Sequence, residues 1–194
     1  MQDPFDENGV PNSTARTVWD TEEFFSLLQD AEQGNAEAQC MIANSFYFGE
    51  GLTQQDYKKA VEWWSKAAEQ EYAPAQYVLG IAYIEGKGAP QDYKTAIQWL
   101  QKSAEQGNQD AQIKLGWLYY NGEGIPQNYE TAAHWFRKAA EQGNALAQCN
   151  MGAMYHEGKG VPQNYETAAE WYRKSAEQGY DMAKKLLEEM RNEE

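Results

Sequence analysis

Apolar residues recur at helical spacing along most of the chain. Ala147, Met151 and Tyr155 stand at i, i+4 and i+8 with Gly152 beside them, and Ala111, Leu115 and Tyr119 repeat the arrangement. This period puts the apolar side chains on one face of a helix, here termed helix A. Each helix A runs into a glycine turn, GxGxPQ in its usual form, whose glycines and proline end the helix. Asp56, Asp92, Asn128 and Asn164 then stand where a helix needs an N-cap. They open a second helix, B, that ends at an Ala-Glu-Gln marker. Glycines 34, 107, 143 and 179 follow that marker, where a left-handed residue stops the helix.

The pattern is copied. "GEGIPQNYETAAHWFRKAAEQG" from Gly122 returns from Gly158 as "GKGVPQNYETAAEWYRKSAEQG" with 17 of 22 positions unchanged, and paler versions begin at Gly49 and Gly86. The marker stands at Ala31, Ala68, Ala104, Ala140 and Ala176. This divides the chain into repeats at 31–67, 68–103, 104–139 and 140–175. Residues 1–18 read as a polar arm, 19–30 as an N-terminal capping helix and 176–194 as a C-terminal capping helix that keeps Ala183 and Leu187 at helix-A positions. One corner departs from the rule: Glu71 stands where the other copies have glycine. Keeping the same backbone there costs about 1 kcal/mol, which predicts a locally altered corner. Pro74 falls in the first turn of the next helix, where proline is tolerated.

Composition narrows the class. Ala, Glu, Gln, Lys and Leu are abundant and β-branched residues sparse, so helix is favoured and strand is not expected. The net charge of -14 repels phosphate backbones and anionic lipid, which argues against nucleic-acid or membrane partners and for a protein partner with a basic patch. No apolar run is long enough to span a bilayer. The expectation is a cytoplasmic chain, or a periplasmic or secreted one if a leader has been removed. Cys40 and Cys149 fall in the first and fourth copies, too far apart in a repeat stack for a disulfide.

The stretch "AEQGNALAQCNMGAMYHEGKGVPQNYETAAEWYRKS" resembles the Sel-one-like repeat (SLR), a relative of the tetratricopeptide repeat (TPR). The resemblance covers Ala31 to Gly179, because the Ala, Leu-Gly, Tyr, Gly-x-Gly, Tyr, Ala and Trp positions recur together. It implies an all-α fold, a right-handed α/α superhelical solenoid of helix-turn-helix repeats. It also implies a monomeric, non-catalytic interaction scaffold or adaptor that holds a protein or peptide in a concave groove lined by helix A.

Positions present in every copy are explained by packing between neighbouring units. Tyr57, Tyr93, Tyr129 and Tyr165, with Trp63, Trp99, Trp135 and Trp171, are therefore assigned to the core. Specificity belongs where the copies disagree, and only five of fourteen positions match between Asn108–Asn121 and Asn144–Glu157. The variable positions form a stripe of Glu37, Met41, Asn44 and Phe48, then Pro74, Val78, Ile81 and Glu85. It continues through Asp110, Lys114, Trp117 and Asn121, then Leu146, Asn150, Ala153 and Glu157. Met41, Asn44, Phe48, Val78, Ile81, Glu85, Asp110, Lys114, Trp117, Asn121, Asn150 and Glu157 are the partner-binding candidates. Val78, Ile81 and Trp117 supply an apolar centre; Glu37, Glu85, Asp110 and Glu157 supply an acidic rim. Tyr47, Tyr120 and His156 flank the stripe.

Catalytic chemistry has little to stand on. The two histidines, His134 and His156, lie on different helices, and neither HExxH nor paired CxxC occurs, so no metal or other cofactor is expected. Some bacterial proteins in the resembled family are β-lactam-binding, which makes a β-lactam-related or other hydrolase using groove carboxylates the alternative. This chain lacks their paired cysteines, and the S-x-x-K nucleophile motif is missing. Within the interaction class three roles stay open: an adaptor, an enzyme regulator, or an immunity protein that neutralises a toxin.

Overall fold

A computed structural model describes the backbone of residues 20–193 and the side chains of residues 20–191. The expected arm at 1–18 lies outside the described residues. The chain divides into two compact units, Met1–Asn108 and Gln109–Glu194. The first holds α1 (Thr21–Glu32), α2 (Ala36–Phe48), α3 (Tyr57–Glu69), α4 (Ala73–Glu85) and α5 (Tyr93–Glu105). The second holds α6 (Gln109–Asn121), α7 (Tyr129–Glu141), α8 (Ala145–Glu157), α9 (Tyr165–Glu177) and α10 (Asp181–Glu193). Among the described residues there is no strand. Helices A are α2, α4, α6 and α8; helices B are α3, α5, α7 and α9. In each unit consecutive helices pack together, most closely as the A–B pairs.

Caps and turns account for the helix ends. Asp56, Asp92, Asn128 and Asn164 are N-caps, each with a side-chain oxygen accepting from a backbone N–H in the first turn. Asp20 and Glu23 form a reciprocal capping box at α1. In the glycine turns, Gln55, Gln91, Gln127 and Gln163 fold back, and each Nε2 donates to a carbonyl near the end of the preceding helix A at 2.7–3.0 Å. The second glycine has a separate reason. A Cβ on Gly160 would stand 2.1 Å from the Tyr129 carbonyl oxygen, so this turn packs its backbone directly on the start of α7.

The altered corner expected at Glu71 does not occur. Glu71 keeps a positive φ of 63°, where the glycines after the other markers lie between 89° and 97°. Its N–H donates to Ala68 and that of Tyr72 to Ala67, the pattern that Gly107 and Asn108 make with Ala104 and Ser103. Two backbone hydrogen bonds outweigh the strain of one side chain in the left-handed region. The next N-cap, Tyr72, makes no side-chain cap bond; Pro74, at the N-terminus of α4, has no N–H to satisfy.

The core also differs from the sequence expectation. Of the four recurring tryptophans only Trp135 is buried, while Trp63, Trp99 and Trp171 are half-exposed. The ammonium groups of Lys66, Lys102, Lys138 and Lys174, one turn on, lie 3.9–4.9 Å from the four indole rings. The fully buried position is the next one, occupied by Trp64, Leu100, Phe136 and Tyr172. It faces helix A, where glycine makes room: a Cβ on Gly116 would stand 2.5 Å from Phe136, and one on Gly152 2.5 Å from Tyr172. Tyr57, Tyr93 and Tyr129 are half-buried rather than core, and Tyr165 is 54% exposed. The turn of the following copy places Lys87 over Tyr57 and Lys159 over Tyr129. Among the described residues no glycine turn follows Tyr165.

A glutamine ladder completes the interior. Gln39, Gln76 and Gln148 are buried and donate to the carbonyls of Ala31, Ala68 and Ala140. With Gln112 they accept at 2.8 Å from Gln70, Gln106, Gln142 and Gln178, the last residues of the markers. Buried amides paired this way satisfy groups that would be costly alone. The marker therefore ends in glutamine to tie each helix B to its helix A.

Candidate partner-binding face of helix A

The face is built separately in each unit. In the first, Met41, Asn44 and Phe48 are half-buried on α2, and Asn44 Oδ1 accepts from the indole N–H of Trp64 at 3.0 Å. Asn44 is therefore engaged in holding the core tryptophan. Val78 and Ile81 on α4 are buried, 4% and 7% exposed, so they offer little surface to a partner. Glu85 is exposed, but its Oε2 lies 2.8 Å from Lys87 Nζ and 3.4 Å from the Tyr47 hydroxyl.

In the second unit Trp117 is the exposed aromatic of α6, at 37%. Its ring stands edge-on to Phe136 at 5.4 Å and to Tyr120 at 5.7 Å, so it is anchored from below and open above. Asp110 and Lys114 are half-buried on the same helix and Asn121 is exposed. On α8, Asn150 is half-buried, and its Nδ2 is enclosed without a hydrogen-bond partner. Glu157 is exposed and bound by Lys159 Nζ at 2.7 Å, while Tyr120 donates to it at 3.2 Å.

Lys87 and Lys159 alter the electrostatics expected of the rim. The hydrogen bonds that the Lys87 ammonium donates to Glu85 and Tyr47 push it well above its ordinary pKa, and those to Glu157 and Tyr120 do the same for Lys159. Two of the four rim carboxylates are thereby neutralised within the chain. The sequence signal was present: tyrosine stands at this helix-A position in copies one and three, and lysine in the glycine turn of copies two and four. Burial, followed by the charge of Glu37, pushes the Cys40 thiol up to about 12, and burial raises Cys149 to about 11; both are free. They are poor nucleophiles at neutral pH. His134 is exposed against Trp135 and His156 half-buried against Tyr165. Among the described residues no group of three His, Cys, Asp or Glu side chains is placed to hold a metal ion.

The repeat pattern, the glycine turns and the glutamine ladder coincide with a known family. The Sel1 repeat model matches residues 36–72, 73–108, 109–144 and 145–180, each one helix A with the helix B after it and the start of the next corner. The chain belongs to the Sel1 repeat family. It is similar to a protective antigen of uropathogenic Escherichia coli displaying an SLR fold, with 43% identity and a TM-score of 0.79 over 82% of this chain and 34% of that one. An immunity protein of Pseudomonas aeruginosa, Pa5087, is 26% identical with a TM-score of 0.53, over 88% of this chain and 64% of the other. Over 60 residues the chain is 37% identical to the ERAD-associated E3 ubiquitin-protein ligase component HRD3A of Arabidopsis thaliana, which is 31% of this chain and 9% of that protein. This chain thus spans only about a third of the Escherichia coli antigen and a small part of the ligase component. The all-helical solenoid architecture expected of the repeats is that of these Sel1 structures. Sel1 repeat proteins are in general protein-interaction scaffolds. Among the described residues no helix is long and apolar enough to cross a membrane.

Proposed function

We propose that this Sel1 repeat protein is a non-catalytic interaction protein that holds a protein or peptide partner on its helix-A face, with Trp117 as the anchor. The carrying observation is a large aromatic, exposed on that face, whose ring is fixed by Phe136 and Tyr120 beneath it. A rigid aromatic loses little freedom on binding and commonly contributes about 2 kcal/mol or more to an interface. Asp110, Lys114 and Asn121 are the polar surroundings on α6. Asn150 adds a half-buried amide whose enclosed Nδ2 can meet a partner carbonyl once the side chain turns outward. Val78 and Ile81 support the face from within rather than contact the ligand.

Toxin neutralisation is the role we favour within this class. It is supported by the likeness to immunity proteins and by a net charge of -14, which speeds capture of a basic partner. No observation supports the hydrolase alternative. The test is affinity capture from the native cell with wild type and Trp117→Ala, followed by titration of the captured protein against both purified forms. At least tenfold weaker binding by a variant with unchanged melting supports the reading. Equal affinity removes Trp117 from the interface, and a lower melting temperature makes it a core residue.

A further inference from the structure

The outer face of α1 offers a second docking surface. In each complete repeat, helix B presents three positions to its own helix A. Ala96 and Leu100 meet Gly80, while Ser103 donates to the Ala73 carbonyl at 2.7 Å; Tyr172 meets Gly152, while Ser175 donates to Ala145 at 2.6 Å. Aligned on the marker, α1 is also a helix B, and its residues at these positions are Glu23, Leu27 and Asp30. Phe24 and Ala31 pack on Ala38 and Ile42 of α2, so α1 is joined on its other side as a helix B should be. The opposite side has no helix A among the described residues. It forms a shallow recess lined by Glu22, Glu23, Ser26, Leu27 and Asp30.

We infer that this recess seats a basic amphipathic helix of a protein partner, in the position a preceding helix A would occupy. The recess has the form of a helix seat, because the same three positions of every following helix B are covered by one. Half-buried Leu27, which also packs against the Phe24–Ile42 cluster, stands at the position that Trp64, Leu100, Phe136 and Tyr172 hold elsewhere and supplies the apolar part of the floor. The charge selects the occupant. Glu22, Glu23 and Asp30 stand around Leu27, and no Lys, Arg or His occurs from Thr17 to Tyr57. A small-residue stripe over Leu27 with lysine or arginine on its borders is complementary. Asp30, at the place where Ser103 and Ser175 meet the beginning of helix A, also favours the positive N-terminal end of a seated helix. Two other occupants fit less well. Residues 1–19 carry Asp3, Asp6 and Glu7 against the single cation Arg16, and a second copy would bring another acidic chain to an acidic face.

The probe is a labelled, stapled helical peptide with alanine and glycine along one stripe and lysine on both borders, compared with the same peptide carrying glutamate for lysine. Fluorescence anisotropy on the full chain should show saturable binding of the lysine peptide alone. A Glu22→Lys, Asp30→Lys variant, which leaves the Asp20–Glu23 capping box intact, should weaken it at least tenfold with unchanged helicity. Trp117→Ala should leave it unaltered, which separates this surface from the helix-A face. No saturable binding by the wild type, equal binding of both peptides, or equal binding by the Lys variant overturns the inference. So does a concentration-dependent dimer, seen by light scattering, that the Lys variant abolishes, because the recess then belongs to a second copy.

Discussion

Lys159 Nζ stands 3.0 Å from the hydroxyl of Tyr120, one copy earlier in the chain, and 2.7 Å from Glu157 on its own. Lys87 repeats the relationship with Tyr47 and Glu85 at 3.1 and 2.8 Å. One cation thus joins a phenol from the preceding helix A to a carboxylate at the end of its own. Copies one and three have Glu50 and Glu123 in that place of the turn, so the glycine turn itself tolerates glutamate. Lys159→Glu should therefore keep the turn and lose the latch, placing a second carboxylate beside Glu157. The expected result is a modest fall in melting temperature that shrinks as salt is raised, because these groups face solvent and are screened. A fall that salt does not touch would assign the loss to packing over Tyr129.

The helical period, the caps, the glycine turns and the repeat length were legible because backbone geometry dictates them and each copy restates them. The buried aromatic was harder to read. Trp63, Trp99, Trp135 and Trp171 look like the core because they recur, whereas the fully buried position varies as Trp64, Leu100, Phe136 and Tyr172. Recurrence there reflects a shared Lys–indole contact, at the surface in all but the buried Trp135; variation is possible inside because each pocket is adjusted to its own residue. The helix-A stripe was legible as a face but not as exposure. Val78, Ile81 and Trp117 are alike in sequence character, and only packing shows that the first two are covered.

This distinction sets an order of stabilities. Phe136→Ala removes a side chain that is 1% exposed and should cost about 3–5 kcal/mol. Trp171→Ala removes a half-exposed ring and should cost less than half as much, despite its greater size. Urea denaturation of the two variants decides the matter. Equal losses would return the recurring tryptophan to the core.

Glu71 offers the opposite experiment, a gain. Its φ of 63° is held by the hydrogen bonds of the corner, and glycine occupies the equivalent place in the other copies. Glu71→Gly should stabilise the chain by about 1 kcal/mol, since the left-handed region costs a side chain about that much. The reverse change, Gly143→Glu, should lose a similar amount; its Cβ would meet nothing within 4 Å, so only backbone strain is at issue. Should both variants melt like the parent, the corner is not strained.

The buried thiols give the stability a pH limit. Cys40 is raised from 9.0 to about 12 and Cys149 from 9.0 to about 11, so folding holds both protons more tightly than the unfolded chain does. Their contribution is full below pH about 9 and is lost as pH rises through the folded values. Tyr47 and Tyr180, also raised by burial, act in the same direction. The urea midpoint should therefore be flat from pH about 7 to 9 and fall by about 10.5, with a shallower fall in the Cys40→Ala, Cys149→Ala variant. Native protein should also react slowly with a thiol reagent at neutral pH and rapidly once unfolded. Fast labelling of the native form would place the thiols at the surface.

Asn150 tests whether the helix-A face trades stability for binding. Its Nδ2 is buried without a partner, and an unsatisfied donor of this kind costs about 1–3 kcal/mol. The equivalent positions of the first two copies hold Met41 and Val78, so an apolar side chain fits this place in the repeat. Asn150→Met should hold or raise the melting temperature, by relieving the orphaned donor, and should weaken the partner captured through Trp117. A core role predicts the reverse, a less stable protein that binds as before. Finding greater stability together with weaker binding would identify Asn150 as a residue kept for its ligand.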